Sequence, residues 1–218
     1  MRLCNVFPDF ESDSTKGTLR WYDYTDGHWS MLSVLPSDFT AVGTTELGSL
    51  HTLKQEFEKR RVKLATLVPA SCESLRLWIG DVLAASKLTG DDLFFPMYAD
   101  PTRHVAKLLD LVGDDDSTLS SHSIFVVGPD KRLKLYVSYP PGTGHNFGEL
   151  LRTIDSLQLT ASQGLATPAN WKPGDACMVL PETSTAEVKE RLAKGVDVMQ
   201  VPSGKEYLRF TPDPRGRE

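Results

Sequence analysis

The chain has 218 residues, of which 40% are hydrophobic and 24% are charged, which suits one large core with a smaller appendage. The formal net charge is −5 and no long basic run occurs, so nucleic-acid binding has no support. No apolar stretch approaches the roughly 20 residues that span a bilayer, and residues 1–10 lack the basic-then-apolar pattern of a secretory signal. Three widely spaced cysteines favour a reducing compartment of the cell, the cytoplasm above all, over a disulfide framework.

The hydrophobic pattern predicts alternating strands and helices. Residues 21–27 are interpreted as the end of a strand and a turn. Apolar runs predict further strands at 28–35, 62–68, 123–127 and 133–139, the last two forming a hairpin around a turn at 128–131. Residues 94–98 are interpreted as a short extended piece. Apolar residues at helical spacing predict helices at 44–60, 73–87, 103–111 and 147–159, with Thr44 or Thr45 capping the first and Gly113 ending the third. This order predicts an α/β fold with a mixed central sheet flanked by helices.

The composition changes near residue 161, where a connector rich in proline and glycine follows at 167–175. After it the pattern predicts a short strand at 176–180, a helix at 185–194 and an extended run at 207–210. These roughly 50 residues are too few to bury a core of their own. We therefore expect a main domain over 1–165 and a small α/β extension over 166–218, packed on the main domain or on a partner subunit.

The most informative segment is 36–47, with the sequence PSDFTAVGTTEL, between a predicted strand and a predicted helix. It resembles the active-site loop of peroxiredoxins, which is Pro-x-x-x-Thr-x-x-Cys followed by Thr-Thr-Glu-Leu. Pro36 and Thr40 match that pattern, whereas Gly43 stands at the cysteine position. The frame of a peroxidase loop is therefore present without its nucleophile.

Further segments extend this resemblance over roughly residues 5–212. They are GPDKRLKL at 128–135, SLQLT at 156–160, WKPGD at 171–175 and PSGKEYLRFTP at 202–212. Together they resemble the one-cysteine, peroxiredoxin-6-like branch of the family. The resemblance implies a thioredoxin-like fold, a homodimer and reduction of peroxides by a single thiolate.

Peroxide reduction needs a thiolate whose pKa lies well below about 8.5, a cation to stabilise it, a hydroxyl that orients the peroxide and a proline that shields the oxidised sulfur. Pro36 and Thr40 match the proline and the hydroxyl, and the helix that starts after Gly43 would supply a favourable dipole. His122 falls at the family's arginine position, and Leu35 at a position where this branch usually has histidine. Three departures around one loop indicate decay of the catalytic site.

Some members of this branch also carry a phospholipase site. Here His28 stands at its serine position and Tyr22 at its histidine position, and only Asp130 matches. Because that chemistry requires a nucleophile and a base together, the resemblance does not favour a lipase.

The remaining candidates are weaker. Cys72 lies at a strand-to-helix turn, where a helix start could lower its pKa, although a partly buried helix residue is the simpler interpretation. Cys4 lies in a segment with no activating feature, and Cys177 is expected in the core. The five histidines show no ligand spacing, and the acidic run at 114–116 is typical of a solvated loop, so we expect no metal and no cofactor.

Two functional hypotheses remain. The first is a catalytically degenerate peroxiredoxin-like protein that acts as a binding or structural component, in a homodimer or a larger assembly. The alternative is a thiol peroxidase, an antioxidant oxidoreductase, that uses a surrogate cysteine such as Cys72.

Overall fold

The computed structural model describes residues 1–112, 121–180, 183 and 195–215. It divides into two compact units, Met1–Phe147 and Gly148–Glu218. The predicted helix at 185–194, the acidic run at 114–116 and Gly113 lie outside the described residues. Within the described ranges, no helix is both long and apolar enough to cross a membrane.

The first unit is built on a seven-stranded mixed sheet. Its strands are β1 (Glu11–Ser14), β2 (Gly17–Arg20), β3 (Trp29–Val34), β4 (Val62–Val68), β5 (Met97–Ala99), β6 (His122–Val127) and β7 (Leu133–Tyr139), in the spatial order β2-β1-β5-β4-β3-β6-β7. Strands β3, β4 and β5 run parallel, whereas β6 and β7 form the predicted antiparallel hairpin beside them. The hairpin β1–β2 was not predicted, because its short polar strands carry little hydrophobic signal.

The first unit has five described helices: α1 (Trp21–Thr25), α2 (Ala41–Thr52), α3 (Lys54–Lys59), α4 (Cys72–Ala85) and α5 (His104–Leu108). The single helix predicted at 44–60 is instead two helices, since α2 ends at Thr52 and α3 begins after Leu53. The prediction of a strand end at 21–24 is wrong. Trp21 is fully buried, and its ring stacks on Phe10 with centroids 5.7 Å apart, so tertiary packing outweighs the local β preference.

The core of the first unit is rich in aromatic rings. Phe7, Trp21, Tyr98 and Phe125 are all fully buried, and the rings of Phe7 and Phe125 meet edge to face at 5.5 Å. Strand β3 is buried along nearly its whole length, which explains its continuous apolar run. Strand β3 ends at Val34, directly before Leu35 and the segment 36–47.

The second unit contains α6 (Phe147–Gln163), which begins at the division, and four short strands: β8 (Leu165–Ala166), β9 (Cys177–Val179), β10 (Asp197–Val198) and β11 (Arg209–Thr211). They form an antiparallel sheet in the order β10-β11-β9-β8. Its small core contains Leu159, Leu165, Trp171, Cys177 and Val179. The structural division falls at the start of α6, whereas the division expected from the sequence, at 165, falls after it.

Candidate functional site

The segment 36–47 forms the junction between β3 and α2. Helix α2 begins at Ala41, with Thr40 in the N-cap position at φ −90° and ψ 141°, and the Thr40 side chain makes no capping hydrogen bond. The prediction that Thr44 or Thr45 caps this helix is therefore wrong. Thr44 lies inside the helix, where its Oγ1 donates to the Thr40 carbonyl oxygen at 2.8 Å. Gly43 is accordingly the third helical residue, inside the first turn.

The space beside Gly43 is filled by neighbouring side chains. A Cβ atom at this buried position would lie 2.5 Å from Thr40 Oγ1, and 3.1 and 3.3 Å from Cη2 and Cζ2 of Trp78. Trp78 is itself held in place, because it is fully buried and its Nε1 donates to Thr44 Oγ1 at 2.9 Å. Any side chain at position 43 must therefore displace the Thr40 hydroxyl or the Trp78 ring.

Glu46 lies three residues after Gly43, so both residues occupy the same face of α2. Its buried carboxylate contacts two histidines. His122 Nδ1, on β6, lies 3.0 Å from Oε2, and His145 Nδ1 lies 2.9 Å from Oε1. The backbone N–H of His145 also donates to Oε1 at 2.8 Å. One carboxylate thus connects α2, β6 and the segment before α6.

The electrostatics of Glu46 follow from these contacts. Burial opposes its ionisation, but hydrogen bonds from the His122 and His145 side chains and from the His145 amide outweigh burial. The pKa of Glu46 is therefore lowered to about 2, from an ordinary value of 4.5. Glu46 is an anion at neutral pH.

Several polar atoms around this cluster are buried without a partner. Within the described ranges, Nε2 of His122, Nε2 of His145 and Oγ1 of Thr40 make no hydrogen bond. The side chains of both histidines are 1% exposed, and the ring of His145 stacks on Tyr139 with centroids 4.6 Å apart. Buried polar atoms are normally satisfied, so these atoms are candidates for contact with a ligand or with water.

The sequence-predicted residues come together only in part. Thr40 and Gly43 are adjacent, and His122 joins them through Glu46, on the same helix face. Pro36 is half-buried at the start of the segment. The sequence analysis identified neither His145 nor Glu46 as a site residue.

The cysteines lie in other environments. Cys72 is the first residue of α4, and burial raises the pKa of its thiol, with Arg76 and Asp13 as its charged neighbours. Burial raises the pKa of Cys177 to about 11, and Cys4 is exposed.

The residues at the phospholipase positions are engaged separately. Tyr22 Oη donates to the Phe7 carbonyl oxygen at 2.6 Å, and Asp130 accepts from Lys134 Nζ at 2.6 Å. His28 is exposed, with Nδ1 2.6 Å from the Asp26 carbonyl oxygen. In the described part of the chain, no group of three or more His, Cys, Asp or Glu side chains is arranged to hold a metal ion.

The fold and this junction define a class of protein. The model of the AhpC/TSA family matches residues 4–136, and that of the C-terminal domain of 1-Cys peroxiredoxin matches residues 156–195. The chain is 44% identical over 213 residues to peroxiredoxin-6 of Mus musculus, covering 95% of each chain. It is 40% identical over 229 residues to the 1-Cys peroxiredoxin of Dirofilaria immitis, covering 98% of this chain and 97% of the relative.

Solved structures agree with these matches. A cysteine-to-serine mutant of the peroxiredoxin 6 of Arenicola marina superposes with a TM-score of 0.92 at 45% identity, covering 99% of this chain and 100% of that one. A yeast mitochondrial 1-Cys peroxiredoxin gives a TM-score of 0.88 at 37% identity, with 97% and 99% covered. The chain belongs to the 1-Cys peroxiredoxin family, and the thioredoxin-like fold expected from the sequence is confirmed.

Proposed function

We propose that this chain is a catalytically degenerate 1-Cys peroxiredoxin that lacks thiol peroxidase activity and acts as a binding or structural component. The observation that carries the proposal is Gly43 in the first turn of α2, with Thr40 Oγ1 and the Trp78 ring in the space where a side chain would lie. Peroxide reduction begins with attack by a thiolate sulfur on the peroxide oxygen. Without that sulfur the covalent step is lost, and the remaining pocket cannot replace it.

The surroundings of Gly43 support the same proposal. The Nδ1 atom of His122 lies 3.0 Å from Glu46 Oε2. Leu35, which stands where this branch of the family usually has histidine, is fully buried. An imidazole has at most two N–H donors, one of which is directed at Glu46, so His122 has fewer donors for a thiolate than the five of a guanidinium. On this proposal, position 43 and the expected cation site at 122 both depart from the family pattern.

The cysteines that remain are poor substitutes. Burial raises the pKa of Cys72, and the pKa of Cys177 is about 11, so neither thiol is activated as a thiolate at neutral pH. This argues against the surrogate-thiol alternative, although Cys72 lies at a helix start. All three cysteines are unpaired thiols, which suits a reducing compartment of the cell.

The test is a peroxidase assay on the purified protein, combined with thiol labelling before and after exposure to hydrogen peroxide. We expect no catalytic consumption of peroxide and no selective loss of labelling. Cys72→Ser is the diagnostic variant and Cys4→Ser is its matched control. Activity that disappears only in Cys72→Ser would replace this proposal with the surrogate-thiol one.

We also propose that the chain forms a homodimer, with a main domain over 1–165 and an extension over 166–218 that reaches the partner. Strand β7 is at the edge of the described seven-stranded sheet, and it exposes 41% of Tyr136 and 37% of Tyr139. An unpaired edge with exposed aromatic rings is a ready surface for self-association. Sedimentation of Tyr136→Lys, with Leu77→Lys on α4 as the control, tests this surface. A monomer at micromolar concentration for the unmodified protein would contradict the proposal.

A further inference from the structure

The segment between β7 and α6, residues 140–146, lies at the surface and contains no helix or strand. Six of its seven residues are exposed, and it includes two prolines and two glycines. It has one internal turn, in which the Thr143 amide donates to the Pro140 carbonyl oxygen at 3.0 Å. We call residues 140–146 the strap. A segment of this kind buries too little apolar surface to be held in place by its own packing.

His145 is the buried residue of the strap. Its side chain is 1% exposed, and its ring contacts the two aromatic residues that flank the strap, Tyr139 at 4.6 Å and Phe147 at 6.5 Å between centroids. Its backbone N–H and its Nδ1 lie 2.8 and 2.9 Å from Glu46 Oε1. Because the ionised Glu46 carboxylate only accepts hydrogen bonds, Nδ1 carries the proton that it donates. Two charge-assisted hydrogen bonds therefore tie the strap to α2.

The strap also lies close to the backbone of α2. A Cβ atom at Gly144 would lie 3.4 Å from Val42 Cγ1 and 3.7 Å from Glu46 Oε1, which is ordinary van der Waals contact. Val42 and Glu46 are four residues apart and so share one face of the helix. Val42 is half-buried, and the Glu46 side chain is 3% exposed. Movement of the strap away from α2 would therefore expose this face to solvent.

The balance between the two positions of the strap depends on His145. Ordering an irregular segment that contains two glycines costs conformational entropy. The contacts described above oppose that cost, and most of them are made by this one residue. Loss of the His145 contacts would free the strap, whereas β7 and α2 would keep their own hydrogen bonds within the sheet and the helix. Local opening of this kind needs much less free energy than unfolding of the domain.

We propose that the strap is a conformational device that closes over the first turn of α2 when His145 docks on Glu46, and that its release exposes the face formed by Val42 and Glu46 without unfolding the sheet. This inference goes beyond the function proposed above. It makes no use of the absence of peroxidase activity, so each can fail without the other.

Hydrogen exchange measured by mass spectrometry on the full chain tests the opening. In the unmodified protein at pH 7, exchange in the strap should be nearly independent of low urea concentrations, whereas exchange in β4 should accelerate with urea, because only global unfolding exposes β4. His145→Ala should accelerate exchange in the strap by at least about tenfold and leave β4 unchanged. His104→Ala, at the exposed start of α5, is the matched control and should change neither.

A variant with the opposite effect is available in the strap itself. Gly144 does not have a positive φ, and a methyl group there would meet Val42 at an ordinary distance. Gly144→Ala should therefore slow exchange in the strap by about two- to fivefold, since alanine has less conformational freedom than glycine when the strap is open.

Thiol labelling tests whether the strap covers α2. A maleimide, located by mass spectrometry, should label Val42→Cys at least about tenfold faster when His145→Ala is added. Thr45→Cys, at an exposed position of the same helix, is the control and should react equally fast with and without His145. Where His145→Ala fails to fold, the urea dependence of strap exchange in the unmodified protein and the effect of Gly144→Ala decide the question. Strap exchange that follows global unfolding in urea, or labelling at position 42 that does not depend on His145, would overturn the proposal.

Discussion

Replacing Glu46 with glutamine should destabilise the protein strongly at neutral pH and progressively less as the solution is acidified. Glutamine has nearly the same shape, but its amide nitrogen is a donor. It can accept from only one of the two histidine Nδ1 atoms that now donate to Glu46, and it places a second donor opposite the other. A buried donor that loses its acceptor destabilises the folded state.

The magnitude follows from the shift in the Glu46 pKa. The value falls from 4.5 to about 2, a difference of about 2.5 pK units. At about 1.4 kcal/mol per unit this corresponds to about 3.5 kcal/mol, and because the Glu46 side chain is only 3% exposed, solvent screening removes little of it. Because the pKa is lowered in the folded state, this stabilisation is fully present above about pH 4.5 and is lost as the pH falls towards about 2.

Urea unfolding measures this difference directly. The free energy of unfolding is compared between the unmodified chain and Glu46→Gln at pH 7, 5, 4 and 3.5. The control is Glu58→Gln. Glu58 is exposed, and its Oε1 lies 3.8 Å from Lys54 Nζ, so this substitution should change the free energy of unfolding by only a few tenths of a kcal/mol. The reasoning is refuted if Glu46→Gln costs no more than the control at pH 7, or if its cost is the same at every pH.

Three further predictions concern position 43 and the assembly. Gly43→Ala should lower the free energy of unfolding by about 1–2 kcal/mol, because Thr40 Oγ1 lies where the new Cβ atom would be. In a Thr40→Ala background the same substitution should cost at least about 0.5 kcal/mol less. Equal costs in both backgrounds would contradict this packing. Gly43→Cys should give weak peroxidase activity, because the helix dipole lowers a thiol pKa by less than about one unit. Adding His122→Arg should raise the rate of the variant with hydrogen peroxide by up to about tenfold. A single mutant as fast as the double mutant would exclude position 122 as the cation site. Sedimentation should find a dimer that Tyr136→Lys weakens and Leu77→Lys does not; equal effects of the two variants would remove the β7 edge from the interface.

Much of the fold could be predicted from the sequence, because its central elements carry strong local signals. Strand β4 has the bounds predicted at 62–68, and the β6–β7 hairpin follows from two apolar runs around a turn that contains Gly128 and Pro129. Helix α1 could not be predicted in this way. Its five residues begin with Trp21, whose ring packs against Phe10 and against Tyr98, and Tyr98 is distant in sequence.

The candidate site was likewise predictable only in part. Pro36, Thr40 and Gly43 lie within one short segment, and the resemblance of that segment to the peroxiredoxin active-site loop pointed to them. His145 is 99 residues from Glu46 in the chain, and no local pattern connects the two. The one available signal was the three-residue spacing of Gly43 and Glu46, which places both residues on one face of the helix.

The most direct test of the central proposal is the second-order rate of the purified, unmodified protein with hydrogen peroxide. It is measured beside Cys72→Ser and beside Gly43→Cys with His122→Arg as the positive comparison. A rate for the unmodified chain equal to that of Cys72→Ser, and well below that of the restored variant, is the result we predict. A rapid reaction of the unmodified chain, accompanied by oxidation of one of its three thiols, would contradict the proposal that this peroxiredoxin is catalytically degenerate.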